Sequence, residues 1–162
     1  LELDVNKVDK DHHDHFLNEA IFEVYDKTAD AYVTTLASGQ LMITGEEKDE
    51  EYEISKKEDF SKIIKTVKTD ENKQIVLDID DGTYYSRKVG DDKVTKHVVK
   101  DGKAVLVDAI YGHEYEFKEI KAPTSYQLAD KSKAYKVEAD EETDTIIYYF
   151  ENARIVVPNT GV

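Results

Sequence analysis

An amine, a carboxylic acid and a carboxamide each close an apolar row in this sequence. Leu1-Glu2-Leu3-Asp4-Val5-Asn6-Lys7 alternates apolar and polar, so as a β-strand it turns Leu1, Leu3 and Val5 to one face, and Lys7 follows them. In Tyr115-Glu116-Phe117-Lys118-Glu119 the same alternation sets Glu119 in line with Tyr115 and Phe117. In the run from Ile146 to Asn152 it sets Asn152 in line with Ile146, Tyr148 and Phe150. A polar group aimed at a core is costly unless it is satisfied. For any one of the three, a strand end whose polar tip reaches solvent is explanation enough. Together their chemistry is complementary. A buried lysine loses part of its preference for charge and becomes a neutral nucleophile. A buried glutamic acid keeps its proton and can hydrogen-bond an amide carbonyl. A carboxamide polarised in that way is open to attack by the amine. The products would be a Lys7–Asn152 isopeptide and ammonia, with Glu119 assisting and the neighbouring strands supplying proximity.

The elements that must position these groups read as strands. The first strand runs into a polar turn, DKDHHDH, and a second strand follows around AIFEVYD at 20–26. AYVTTLASGQLMITG at 31–45 reads as two strands around Ser38-Gly39, and EEKDEE as a solvated loop. One helix is expected in SKKEDFSKIIKTVK. Ser55 and Glu58 make a capping box there, and Phe60, Ile63, Ile64 and Val67 make an apolar stripe at helical spacing. Residues 73–89 align without gaps on 103–119, with Lys73/Lys103, Asp78/Asp108, Gly82/Gly112, Tyr85/Tyr115 and Lys88/Lys118 in common. Each copy reads as a strand, a glycine-containing turn and a second strand, so two similar hairpins are expected, differing in that Val89 stands where Glu119 does. A Pro-containing turn, a strand at SKAYKVEA, an acidic loop and the final strand complete an all-β pattern of short strands with close turns.

Composition excludes several functions. The chain has 162 residues and a formal net charge of −14, which repels phosphate backbones and argues against nucleic acid as a partner. It has no cysteine, hence no disulfide, thiol nucleophile or cysteine-ligated metal. There is no apolar run of about 18 residues to span a membrane. LELDVNKVDK is not the apolar core of a signal peptide, so the first residue reads as a mature-protein boundary. Asp11-His12-His13-Asp14-His15 offers ligand types, but adjacent residues in a turn rarely converge on one ion, and no metal is expected. The acidic loops lack the spaced calcium pattern with its central glycine. No Gly-x-Ser-x-Gly elbow or phosphate-cradling glycine loop is present, so neither a hydrolase nor a cofactor is expected.

LDVNKVDKD (3–11), FEVYD (22–26), YEFKEIKAPTSYQL (115–128) and the last strand through Asn152 resemble the CnaB-type domains of Gram-positive pilins and surface adhesins. The third piece is similar to that family's E-box motif, a strand ending in Glu before an Ala-Pro turn and an aromatic. The resemblance implies an Ig-like β-sandwich over 1–156 whose first and last strands are neighbours. It also implies a spontaneous isopeptide, carried here by Lys7, Glu119 and Asn152, the three residues that face parity selects. The chain is longer than a minimal domain of that family, with an insertion at about 30–100 that contains the expected helix. Val157-Pro158-Asn159-Thr160-Gly161 resembles an LPXTG sorting signal, which makes 157–162 its remnant and implies cleavage by a sortase between Thr160 and Gly161. The expected role is that of a structural domain of a cell-wall-anchored, extracellular pilin or adhesin stalk. It would not be an enzyme, since its one reaction is single-turnover self-modification. The implied partners are a sortase, other pilin subunits or peptidoglycan, and a host matrix protein. A ligand-binding adhesin domain, recognising a host protein or glycan through the insertion, is the alternative.

Overall fold

A computed structural model describes residues 1–138 and 145–156. Among these residues thirteen strands are formed: β1 (Glu2–Asp9), β2 (Ile21–Asp26), β3 (Ala31–Ala37), β4 (Leu41–Thr44), β5 (Glu51–Ser55), β6 (Ile63–Lys68), β7 (Gln74–Leu77), β8 (Gly82–Lys88), β9 (Thr95–Val99), β10 (Lys103–Leu106), β11 (Glu114–Lys121), β12 (Lys133–Lys136) and β13 (Thr145–Asn152). No helix occurs among the described residues. The strands form four sheets, ordered β10-β1-β13, β12-β11-β2-β3, β4-β7 and β6-β5-β8-β9.

The first two sheets enclose the main core. Leu3 and Val5 of β1, Phe22 and Val24 of β2, Phe117 of β11 and Phe150 of β13 are all but inaccessible to solvent. The aromatic rings meet edge to face, Phe22 on Phe117 at 5.8 Å and on Phe150 at 4.9 Å between centroids. The first and last strands are neighbours, as the resemblance implies. They run parallel, Leu3 opposite Ile146 and Lys7 opposite Phe150, and β10 pairs antiparallel with the other edge of β1. Strand β13 alternates as its sequence suggests: Ile147 and Tyr149 lie on the exposed face, while Phe150 and Asn152 are buried. Strand β1 does not alternate. Asp4 and Asn6 are buried too, because the outer face of this central strand is covered by Lys100, whose Nζ donates to Asp4 at 3.0 Å, and by Lys103, whose Nζ donates to Asn6 at 2.7 Å.

The other two sheets lie wholly within the stretch read as an insertion. They pack Leu41, Ile43, Ile54, Ile75, Tyr84 and Val99 into a second apolar cluster. The helix expected over 55–68 is absent. Ser55 ends β5, and its hydroxyl serves a hairpin turn: Oγ accepts from the Lys57 N–H and donates to the Lys62 carbonyl, both at 2.9 Å. Phe60 sits in that turn with φ of 57°, and β6 returns antiparallel to β5 with Val67 opposite Tyr52. The β-branched run Ile63, Ile64, Thr66 and Val67 favours an extended chain. The helical stripe never forms a single buried face: Ile63 and Ile64 are exposed, Val67 packs partly buried against the second cluster, and Phe60 is covered, with the Arg87 guanidinium 4.0 Å above its ring.

The two similar stretches are not hairpins either. In the first copy, β7 pairs with β4 while β8 pairs with β5 and β9; in the second, β10 pairs with β1 while β11 joins β2 and β12. Each copy is a crossover from one sheet to another. The copies are also out of phase in burial. Strand β11 buries Tyr115 and Phe117, but β8 buries Tyr84 and Ser86, leaving Tyr85 half-exposed and Val89 at the surface where its counterpart Glu119 is buried.

Candidate functional site

The two sheets of the main core bring Lys7, Glu119 and Asn152 to one end of it. Lys7 and Asn152 come from adjacent strands of one sheet, and Glu119 comes from β11 in the facing sheet. In the parallel register Asn152 stands opposite Asp9, so it lies two residues beyond the Lys7–Phe150 pair on the same face. All three side chains are buried: Lys7 is 0%, Asn152 2% and Glu119 3% exposed, which rules out the reading of solvated strand ends.

Lys7 has no carboxylate within hydrogen-bonding distance among the described residues. Its Nζ donates to the Phe150 carbonyl at 2.8 Å and the Val8 carbonyl at 3.3 Å, and lies 5.3 Å from the Phe150 ring centre. Burial pulls its pKa down from 10.5 to about 8, against the opposing pull of Glu119. The Asn152 amide is held at its nitrogen. Nδ2 donates to Glu119 Oε1 at 2.6 Å and to the Gln127 carbonyl at 2.7 Å. Because a backbone carbonyl only accepts, the contact to Gln127 fixes which side of the amide is nitrogen. Glu119 Oε1 also accepts the Ala129 N–H at 3.0 Å. Burial raises the Glu119 pKa above its ordinary value, opposed by these hydrogen bonds and by Lys7.

Two oxygens are left over. Glu119 Oε2 and Asn152 Oδ1 are both buried and both lack a partner among the described residues. They belong to groups already joined by a hydrogen bond, and both are acceptors if Glu119 is ionised. A proton on the carboxyl removes the conflict, because an acid and a primary amide can pair at two points, N–H to C=O and O–H to O=C.

Face parity names the three side chains but misses what surrounds them. Gln127 and Ala129 act through a carbonyl and an N–H, for which side-chain type gives no signal. Asp9, two residues beyond Lys7, is 1% exposed and tied to Tyr126 and Arg154 by contacts of 2.7 and 3.0 Å. Its place on the Lys7 face is the signal that could have found it. Of the histidine-rich turn, His13 bonds Glu151 at 2.7 Å and stacks on Tyr149. The VPNTG segment with Thr160 and Gly161 lies outside the described residues.

The model of the SpaA prealbumin-like fold domain matches residues 2–154, and the chain belongs to that family. Among solved structures it is similar to GBS52, the minor pilin of the Gram-positive pathogen Streptococcus agalactiae, at 18% identity and a TM-score of 0.38, over 99% of this chain and 47% of that one. It is also similar to the full-length major pilin SpaD of Corynebacterium diphtheriae, at 18% identity and a TM-score of 0.37, over 95% of this chain and 32% of that one. The chain thus spans less than half the length of either pilin. No curated protein sequence matches it.

Proposed function

We propose that this chain is a structural domain of a cell-wall-anchored pilin or adhesin stalk, cross-linked within itself by a Lys7–Asn152 isopeptide bond. The observation that carries the reading is the buried meeting of an amine, an acid and an amide, with one orphaned oxygen on each of the last two. Neutral Lys7 Nζ attacks Asn152 Cγ. Glu119, holding a proton, stabilises the negative charge that develops on Oδ1. It then relays a proton from Nζ to Nδ2. The Nζ–Cγ bond forms, the Cγ–Nδ2 bond breaks and ammonia leaves; Glu119 ends as it began. A cavity of about 380 Å³ between the 127–130 segment and Lys10, Glu151 and Asn152 gives the ammonia a way out. One turnover consumes the site, so the chain is a substrate of its own chemistry rather than an enzyme. Sortase cleavage between Thr160 and Gly161, with attachment to other pilin subunits or peptidoglycan, completes the reading and places the domain outside the cell. Intact mass tests the bond. The chain should weigh one ammonia less than its sequence, with the full mass restored by Lys7→Ala; a full mass in the wild type refutes it.

A cleft of about 670 Å³ favours the adhesin reading as a second role. It lies at the junction of β3, β4, β9 and β10, with Tyr32, Arg87, Lys88 and Lys96 in its walls. Binding of a host protein or glycan that is lost in Tyr32→Ser would support that role.

A further inference from the structure

Beside the reacting groups lies a second constellation, built on the buried Asp9 carboxylate and Tyr126 with the exposed Arg154, that the cross-linking chemistry does not use. The Asp9 carboxylate gathers four donors. Its Oδ1 accepts the N–H groups of Asp11 and His12 at 2.8 and 3.2 Å, and its Oδ2 accepts the Tyr126 hydroxyl at 2.7 Å and Arg154 Nε at 3.0 Å. The Tyr126 hydrogen bond, with those backbone donors and Arg154, holds this carboxyl well below the usual carboxylate range, so it is charged throughout the neutral region. Tyr126 and Arg154 belong to two segments that bridge to each other. The Gln127 N–H donates to the Ala153 carbonyl at 2.8 Å and the Ile155 N–H to the Ser125 carbonyl at 3.0 Å. The stretch after β11 that contains Tyr126 also hands Gln127 C=O to the Asn152 amide and Ala129 N–H to the Glu119 acid.

We infer that Asp9, Tyr126 and Arg154 form a positioning clasp for the proposed cross-linking reaction. The clasp ties the 123–129 segment to β1 and to the end of β13. Gln127 and Ala129 then hold the amide and the acid together in one orientation. None of the three residues touches a reacting atom; they act through the two backbone groups. A small displacement of those groups separates the acid from the amide, and near-attack geometry is where intramolecular reactions gain most of their rate.

This inference rests on the cross-link reading, and the test separates the two. Chains are made by cell-free synthesis, quenched in denaturant at intervals and weighed to give the fraction that has lost ammonia. Tyr126→Phe removes one hydroxyl, and Asp9→Asn keeps the acceptor for Asp11 and His12; both should slow conversion by about tenfold or more. Arg154→Lys, which keeps the charge, should react faster than Arg154→Gln. In a Lys7→Ala background, where no bond forms, Tyr126→Phe should lower the melting temperature by about 3–10 °C, the loss of one hydrogen bond to a charged acceptor. It should raise hydrogen exchange at the Ala129 amide about tenfold in that same background. A wild type that keeps its ammonia overturns the cross-link and the clasp together. A wild type that loses it, while Tyr126→Phe converts within about twofold of the same rate, overturns the clasp alone.

Discussion

Replacing Glu119 by glutamine separates the acid's chemistry from its packing. Glutamine has nearly the shape of the acid, and its carbonyl can still accept from Ala129 N–H and Asn152 Nδ2, the two bonds that Glu119 Oε1 accepts at 3.0 and 2.6 Å. What it cannot do is hold and pass a proton. Glu119→Gln should therefore fold with the same strands and retain the full mass of its sequence, where the wild type should be short by one ammonia. The loss in stability follows from the bond's span. A link from residue 7 to residue 152 closes nearly the whole chain, and the entropy it removes from the unfolded state is worth roughly 5 kcal/mol. For a chain of this size each kcal/mol moves the melting temperature by about 2–4 °C, so the variant should melt about 10–20 °C lower. Calorimetry and intact mass on the same sample read both quantities. An ammonia deficit in Glu119→Gln would show that no proton-holding acid is needed. Full mass with a melting temperature within about 3 °C of wild type would refute the entropic account of the bond.

Three further outcomes are expected. The reactive pair, neutral Lys7 with protonated Glu119, carries the same number of protons as the ion pair, so the rate of bond formation should be flat between the raised pKa of Glu119 and the Lys7 value of about 8, and fall on both sides; a quench-and-weigh time course across pH checks this, and a rate still rising well above pH 8 would contradict it. In Asn152→Ala, which cannot react, Lys7 releases its proton from about pH 8 when folded but only near 10.5 when unfolded; the unfolded state then holds more protons in that window, and stability against urea should rise by up to roughly 3 kcal/mol across it. Gly102→Ala should cost about 2 kcal/mol or more, measured by denaturant titration, because Gly102 has a φ of 69°, an added Cβ would strike the Phe16 side chain, and the Gly102 carbonyl accepts the Lys7 N–H at 2.7 Å.

Much of the site was legible because β-strands repeat every two residues. Wherever aromatic and branched residues mark the buried face, the polar residue that continues the row can be named, and this holds for Glu119 and Asn152. Lys7 follows the same rule even though the outer face of β1 is covered as well. Burial of Asp4 and Asn6 was not legible, since it depends on Lys100 and Lys103 arriving from far along the chain. The 55–68 stretch misled because its spacing fits a helix while its residue types favour a strand, and the Ser55 hydroxyl serves a tight turn as readily as a helix end. The two similar stretches misled because sequence likeness does not fix phase: a shift of one residue turns every side chain to the opposite face.

The parallel register of β1 and β13 sets how far a stretched subunit can lengthen. Pulling on the start of β1 and the end of β13 loads their shared hydrogen bonds in shear rather than one at a time. If those bonds alone held, residues 8–151 would pay out under tension, on the order of 500 Å of extended chain at about 3.3–3.6 Å per residue. A bond from Lys7 to Asn152 removes that slack altogether. With that bond in place, only the first few residues of β1 and whatever follows Asn152 would remain in the line of force, and the domain would behave as a fixed-length link that neither yields nor recoils.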